Sequence, residues 1–385
     1  MMDKYFKSSV FKDVIYFFFG AVFGRFFSVI LTPFLAITLS PAELGEYDMI
    51  ISTLLIVTPF MNLQLNEGQL LYSLKEKKPS KSIYTSLVFS ILTSLIGSIS
   101  SYIILEYLTY KYSFVVSLLI FSVSMWPIVL TIFRSKNQSF LYALFSSLVT
   151  PILLIYLYAT PNFNIETVLQ GLVLAYSIII IPIILFNINK YNFSFELLKK
   201  IIRYSYPFIF NTLFWWIQSI ALRYLLIYFD SIEIVGKFAV DFKIASIIIV
   251  ISNVLYMAQQ NNVFTLKTLN INFNPYILLI VLSLLIAITA PIFVDYFLPD
   301  FFLFNKSSFI LIASAMFQGF AIFEGVKYQI SFKSIILLKS NIISSILGVI
   351  IAIPLISIYS ELGAAISLLI SNIILFLTRK FFYNE

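Results

Sequence analysis

Twelve apolar stretches of membrane-crossing length follow one another along 385 residues, with only short connections between them. They fall at about 14–39, 46–73, 82–109, 112–133, 139–160 and 165–187, then at 204–229, 236–264, 272–298, 304–330, 334–358 and 361–382. A run of about 20 apolar residues is what a helix needs to cross a hydrocarbon core about 30 Å thick. Helices satisfy their own backbone, so a chain of this kind folds as an all-α polytopic membrane protein. Composition agrees: 60% of residues are hydrophobic and 11% charged, where a soluble domain carries about a quarter charged. Mean hydropathy is +0.98. The run at 46–73 is the most polar, because Asn62, Gln64, Asn66, Glu67 and Gln69 fill its second half.

Charge segregates between the loops. One alternate set, with the two ends, holds Lys4, Lys7, Lys12, Lys75, Lys77, Lys78, Lys81, Arg134, Lys136, Lys190, Lys199, Lys200, Arg203, Lys267, Lys333, Lys339, Arg379 and Lys380. The other set holds Lys111 and Lys306, together with the acids Glu43, Glu46, Asp48, Glu106, Glu166, Asp230, Glu233, Asp295, Asp300 and Glu361. By the positive-inside rule both termini are expected in the cytoplasm. No small-residue cleavage site follows Lys4, Lys7 and Lys12 at signal-peptide distance, so the first run is expected to be an uncleaved helix. The net charge of +7 is thereby a topology signal and does not point to nucleic acid.

Whole classes of chemistry fall away. The chain has no cysteine and no histidine, which excludes disulfides, thiol nucleophiles and histidine acid–base catalysis, and leaves no reason to expect a metal site or a cofactor. A membrane enzyme such as a polysaccharide polymerase usually carries its catalytic groups on a long outer loop. No outer loop here exceeds about 15 residues, so an enzyme is not expected.

The halves begin alike. Lys12 precedes a helix containing Arg25, and the turn Pro41-Ala42-Glu43-Leu44-Gly45-Glu46-Tyr47 opens the next. Arg203 precedes a helix containing Arg223, and Glu233-Ile234-Val235-Gly236-Lys237-Phe238 opens the next. The intervals Lys12 to Gly45 and Arg203 to Gly236 are equal, although the two arginines do not align at that offset. The expected organisation is a six-helix lobe at 1–187, a connector at 188–203 and a second six-helix lobe at 204–385. In the connector, Phe195 to Arg203 puts apolar and basic residues at helical spacing, as a helix lying on the inner membrane surface among lipid headgroups would. A basic loop serving topology alone is the other reading.

Charges within the spans are the candidate site. Arg25, Arg223, Lys237, Lys243 and Lys327 stand there against Glu67, Asp241 and Glu324. A charge at the bilayer centre costs about 2.5–3.5 kcal/mol on insertion scales, so such residues face the bundle interior or a wet cavity. Arg25 lies roughly 20 Å from the outer end of its span, too deep to snorkel. An arginine satisfied by neighbouring carbonyls is the alternative. Lys237 and Asp241 are spaced to pair on one helix, as are Glu324 and Lys327; Lys243 points to a different side from Asp241, so one of the two lysines, Lys237 or Lys243, is left available to a ligand. The excess of cations suits an anionic cargo such as a diphosphate, which arginine holds bidentately. The stretch Asn62 to Glu67 is expected to line a cavity.

Two segments carry a resemblance. FFGAVFGRFFSVILTPFLAITLSPAELGEYDMIIS, from Phe18 to Ser52, resembles the N-terminal signature of bacterial polysaccharide-repeat flippases. These exporters of O-antigen and capsule units belong to the multidrug/oligosaccharidyl-lipid/polysaccharide superfamily. KKIIRYSYPFIFNTLFWWIQSIALRYLLIYFDSIEIVGKFAVDFKIAS, from Lys199 to Ser246, is similar to their second-half signature, and Glu361-Leu362-Gly363-Ala364-Ala365 to the start of a late helix. The resemblance implies two six-helix lobes around a central cavity, MATE-like, in the bacterial inner membrane. It implies alternating access and an undecaprenyl-diphosphate-linked oligosaccharide carried from inner to outer leaflet, alongside polymerase and chain-length proteins. On that reading Arg25, Arg223 and Lys243 bind cargo, while Asp241, Glu67 or Glu324 couples a proton or sodium ion. Relatives commonly have an acid just before the second-half arginine; here Leu222 stands there, which moves any coupling role elsewhere. A multidrug antiporter of the same superfamily is the alternative.

Overall fold

A computed structural model describes residues 31, 34, 35, 38–75, 79–160, 164–188, 193–266, 274–297, 304–330 and 334–382. Among these residues there are helices and turns and no strand. The helices are α1 (Pro41–Asn62), α2 (Leu65–Lys75), α3 (Pro79–Tyr107), α4 (Ser113–Ser135), α5 (Ser139–Ala159) and α6 (Ile165–Ile188), then α7 (Phe195–Ser219), α8 (Ala221–Phe229), α9 (Ile232–Leu266), α10 (Pro275–Phe297), α11 (Lys306–Ile330) and α12 (Ser334–Phe382). Among the described residues nine stretches are long and apolar enough to cross a membrane. The expectation was twelve. The first run lies mostly outside the described residues, the run at 236–264 is not among the nine, and the last two runs follow one another as α12 with the bend at Ser360 between them, where the sequence separates them.

Two spans expected to be continuous are interrupted, and a third bend falls where the sequence separates the last two runs. The run at 46–73 divides between α1 and α2, where Leu63 and Gln64 take positive φ of 51° and 50°. Asn62 closes this break by accepting the Gln64 amide at 2.8 Å and donating to the Ser124 carbonyl at 3.0 Å. The polar stretch thus serves a helix break first, since lipid offers no partner to released backbone groups. The run at 204–229 breaks at Ile220, between α7 and α8. Inside α12, Ser360 sits at φ 50° and ψ −124°. Pro354, which has no amide hydrogen, lies upstream of that joint, and Gly363 lies just beyond it.

The helix starts follow local chemistry. Ser40 and Glu43 form a capping box before α1, the Ser40 amide donating to Glu43 Oε2 at 2.9 Å and the Glu43 amide to Ser40 Oγ at 3.3 Å. Asn164 caps α6 by accepting the Thr167 amide at 2.9 Å. Asn305 caps α11 by accepting the Ser307 amide at 2.8 Å.

The chain packs as two compact units, one of residues 49–209 and one of residues 32–48 with 210–385. In the first, α4 is the central helix, with Leu119, Ile128, Val129 and Ile132 sealed inside. Helix α3 packs against it, buries Ser82, Ser86, Ser90, Ser94 and Ser98 at four-residue intervals, and donates from Ser98 to the Ser117 carbonyl of α4 at 2.7 Å. Small side chains there let the helices approach closely. The opposite face of α3 turns Leu92, Ile96, Ile99 and Ile103 outward. In the second unit α11 is central, packed by α9, α10 and α12, around Leu226, Phe238, Ile248, Leu311, Ala315 and Leu368. A polar seam runs through its interior. Gln218 donates to Asn372 Oδ1 at 2.7 Å, Asn372 to Ser314 Oγ at 2.8 Å, and Asn341 to Asn211 Oδ1 at 2.6 Å.

The joint in α12 is packed without slack. A Cβ on Gly363 would lie 2.0 Å from the Leu355 carbonyl oxygen and 2.8 Å from the Ile356 nitrogen, both backbone atoms that have no rotamer to yield. Gly363→Ala is therefore expected to destabilise the protein by about 1–3 kcal/mol, seen as a lower melting temperature and poorer folded yield in detergent. An unchanged melting temperature would show that the bend relaxes freely.

Candidate functional site

Arg223 and the acidic residues of α9 and α12 make up the most charged part of the second unit. Arg223, in the first turn of α8, is 5% exposed. Its Nε donates to Asp48 Oδ2 at 2.9 Å and its Nη1 to the Ser219 carbonyl at 3.2 Å. The guanidinium carbon lies 5.1 Å from the ring centroid of Phe242 and 5.8 Å from that of Phe238. Asp48 comes from the second turn of α1, where Gly45 lets Ile232 pack closely. The sequence reading counted Asp48 among outer-loop acids and left Arg223 without one. The structure supplies the acid from far away in sequence, and the arginine is neutralised in place.

Asp241, on α9, is 5% exposed. Ser308 at the start of α11 donates to its Oδ2 at 2.7 Å. Glu361, one residue past the joint in α12, is held by the neighbouring serine of the same turn. Ser307 donates to Glu361 Oε1 at 2.6 Å, and Lys237 Nζ stands 3.7 Å from Glu361 Oε2. The expected helical pair of Lys237 with Asp241 is thus replaced. Lys237 reaches across to α12, and Asp241 feels its charge from the same helix. Backbone capping by Asn305 presents both serine hydroxyls side by side, and beside them Ser360 donates to Asp230.

The other expected residues fall as follows. Arg25 lies outside the described residues. Lys243 is half-buried and has an interaction of its own, so it is not a spare cation. Glu324, on α11, is buried and accepts a hydrogen bond from the Tyr276 hydroxyl of α10, a partner the sequence spacing did not suggest. The side chain of Lys327, its expected helical partner, is outside the described set. Glu67, on α2, is half-buried, accepts from Asn66 Nδ2 at 3.1 Å and lies within electrostatic reach of Tyr142 and Tyr204. Asp241 and Glu324 belong to the second unit and Glu67 to the first.

Sequence reasoning missed Asp48, Glu361 and Arg379. Arg379 was assigned to a loop-end charge group, yet it is 7% exposed. Its Nη1 donates to the Ala321 carbonyl at 2.6 Å, its Nη2 to Asn341 Oδ1 at 3.0 Å and its Nε to Ser340 Oγ at 3.3 Å. Tyr328 donates in turn to the Arg379 carbonyl. The signal for Glu361 was present in Glu361-Leu362-Gly363-Ala364-Ala365, where an acid adjoins the small residues that a close helix approach requires. Asp48 gave no local signal.

No family model and no curated protein sequence matches the chain. Solved structures do match. A mutant of the Vibrio cholerae MATE transporter VcmN aligns over 98% of this chain and 96% of that one, with 12% identity and a TM-score of 0.74. The chain has the MATE transporter fold. An outward-facing multidrug resistance MATE family transporter of the MOP superfamily aligns over 98% and 95% of the two chains, at 15% identity and TM-score 0.72. A MATE in the straight conformation gives 98% and 96%, 14% and 0.71. The MATE fold bears out the all-α, MATE-like architecture expected from sequence, and with the nine apolar stretches it makes this a multi-pass membrane protein.

Because the Arg223–Asp48 pair is buried, removing one partner strands a charge, which costs about 3–5 kcal/mol, whereas apolar replacement of both is nearly neutral. Asp48→Leu and Arg223→Met are each expected to lower the melting temperature in detergent, and the double variant to recover most of the loss. Additive losses would show that the two charges are not coupled.

Proposed function

We propose that this chain is a membrane exporter that exposes a cargo cavity alternately to the two sides of the membrane and is driven by exchange for a cation. The observation that carries this reading is the MATE fold over 98% of the chain. The carboxylates drawn into its helices supply the candidates for coupling: Asp241 and Glu324 buried, Glu67 half-buried. In this reading the lobes at 1–187 and 204–385 rock about the connector at 188–203, both termini are cytoplasmic, and the protein moves cargo without making or breaking covalent bonds.

For the cargo, the matched fold favours the multidrug type of exporter, since one of the similar structures is a multidrug resistance transporter. The charge balance supports the same reading. A cavity selecting an anion needs uncompensated cations, and Arg223 is matched by Asp48 while Lys237 is matched by Glu361. A second reading rests on a specific observation. The segments Phe18 to Ser52 and Lys199 to Ser246 resemble polysaccharide-repeat flippases, so a polyprenyl-diphosphate-linked oligosaccharide is the other cargo, with Arg25, Arg223 and Lys243 near its phosphates and polymerase and chain-length proteins as neighbours in a bacterial inner membrane.

One deletion strain separates them. Under the multidrug reading, loss of the gene leaves lipid-linked glycans unchanged, and overexpression raises resistance to lipophilic cations several-fold. Accumulation of undecaprenyl-diphosphate-linked repeat units facing the cytoplasm, reversed by the wild-type gene and not by Arg25→Ala at normal abundance, would establish the flippase reading instead. Neither phenotype would remove the exporter reading.

A further inference from the structure

Helix α7 starts in the connector and runs without a break into an apolar stretch long enough to cross the membrane. Its first turns belong to the compact unit of residues 49–209, and one face is fixed there. Leu197, Leu198, Ile201 and Ser205 are buried, and the Gly68 amide of α2 donates to Ser205 Oγ at 3.1 Å. A Cβ on Gly68 would stand 2.7 Å from Ile201 Cγ2 and 2.9 Å from the Ile201 carbonyl oxygen, so the two helices meet backbone to backbone. Just before α7 the Ser194 amide donates to Thr85 Oγ1 of α3 at 3.3 Å. Held by α2 and α3, the start of α7 cannot roll, and the direction of its other face is set.

That other face carries Phe195, Lys199, Arg203 and Tyr206, which the turn of the helix gathers within about 80°. All four are exposed, Phe195 at 74% and Tyr206 at 47%. The positive charge on this stripe is not spent within the protein. Glu196 is the acid of the first turn, and Lys200, off the stripe, pairs with it at 2.6 Å. Among the described residues neither Lys199 nor Arg203 is in an ion pair. Lys81 of α3, one turn before Thr85, is exposed as well and lies within electrostatic reach of Glu196. The patch therefore keeps a surplus of positive charge.

The order of residues along the stripe matches the layers of a membrane surface. Aromatic side chains settle at the interface, and lysine and arginine beside them extend their charged ends to headgroup depth. Lys199 and Arg203 stand one turn apart, about 6 Å along the axis, which lets one phosphodiester bridge both. Arginine takes phosphate oxygens bidentately, and lysine adds a point charge. We infer that Lys199 and Arg203 bind the phosphate of an anionic phospholipid in the leaflet at the start of α7, with Phe195 and Tyr206 against its glycerol and upper acyl chain. A zwitterionic lipid presents the same phosphate together with a cation of its own, which the patch repels, so the site selects headgroups of net negative charge. The bound lipid covers a stripe that the described protein leaves open. This site goes beyond the exporter reading and is independent of the cargo.

Native mass spectrometry of the full-length protein, released from micelles holding phosphatidylglycerol and phosphatidylcholine with the same acyl chains, counts which lipid stays bound. The wild type is expected to retain phosphatidylglycerol preferentially. Lys199→Gln and Arg203→Gln should each cut that preference about five-fold, the effect of one basic residue at a membrane surface, and the double variant should lose most of it. Lys200→Gln removes an equal charge from the same turn but off the stripe, and should leave the preference nearly unchanged. Equal retention of the two lipids by the wild type, or full preference in the double variant, would overturn the inference. An equal loss in Lys200→Gln would also overturn it, by showing a diffuse surface charge in place of a site. Displacement of phosphatidylglycerol by millimolar inorganic phosphate would show a free-anion site and overturn the lipid assignment. The comparison of Lys200→Gln with either single stripe variant decides even where the double variant fails to fold.

Discussion

A charged side chain withdrawn from water loses several kilocalories of hydration per mole, and in hydrocarbon nothing but the protein itself replaces it. The interior of this chain is arranged around that constraint. Arg223 meets a carboxylate, a carbonyl and two aromatic faces. Arg379, with no carboxylate among its hydrogen bonds, is held by the Ala321 carbonyl, a serine hydroxyl and an asparagine oxygen drawn from α11 and α12. Asp241 accepts from Ser308, while the adjacent Ser307 and Lys237 hold Glu361. Each arrangement fixes several helices at one point, so the same groups that satisfy the charges also set the packing of the second unit.

Backbone obeys the same rule. Where a helix breaks inside an apolar layer, its freed amides and carbonyls need partners, and the breaks occur where polar side chains stand ready. Asn62 serves the break at Leu63 and Gln64 and ties it to α4. The break between α7 and α8 lies beside Gln218 and Ser219, which bond to Asn372 and to the Trp215 carbonyl. Polar residues that look misplaced in a hydropathy trace therefore mark where the helices are interrupted.

The existence of most helices was legible because length and apolarity alone decide whether a segment crosses hydrocarbon. Their faces were not. In α10, Leu284, Ile288 and Ile292 look outward while Ile286, Ala290 and Val294 pack inward, and all six are apolar. In lipid the two faces differ by size and fit and hardly by polarity, so periodicity carries little signal there. Asp241, Glu67 and Glu324 were legible as charges out of place. Asp48 was not, because a charge near a helix end reads as solvated until the fold shows what lies across from it; Glu361 read the same way, although the small residues after it marked a close helix approach. Spacing also proposed the wrong partners. Lys237 and Asp241 lie one turn apart, yet Lys237 completes its ion pair with Glu361, which the packing of α9 near α12 brings closer to its amine.

These pairings change what the charges within the spans say about cargo. Read along the sequence, the surplus of lysine and arginine within the spans argued for an anionic ligand. In the folded second unit the same residues come with counter-charges, Arg223 with Asp48 and Lys237 with Glu361, and Asp241 and Glu324 add two further buried acids. The sign of a cavity depends on what remains after such pairs cancel, and among the described buried groups of that unit cancellation leaves no surplus of cations near Asp241. An anionic cargo would have to draw on residues beyond these pairs, whereas a cationic cargo would be served by the acids already in place.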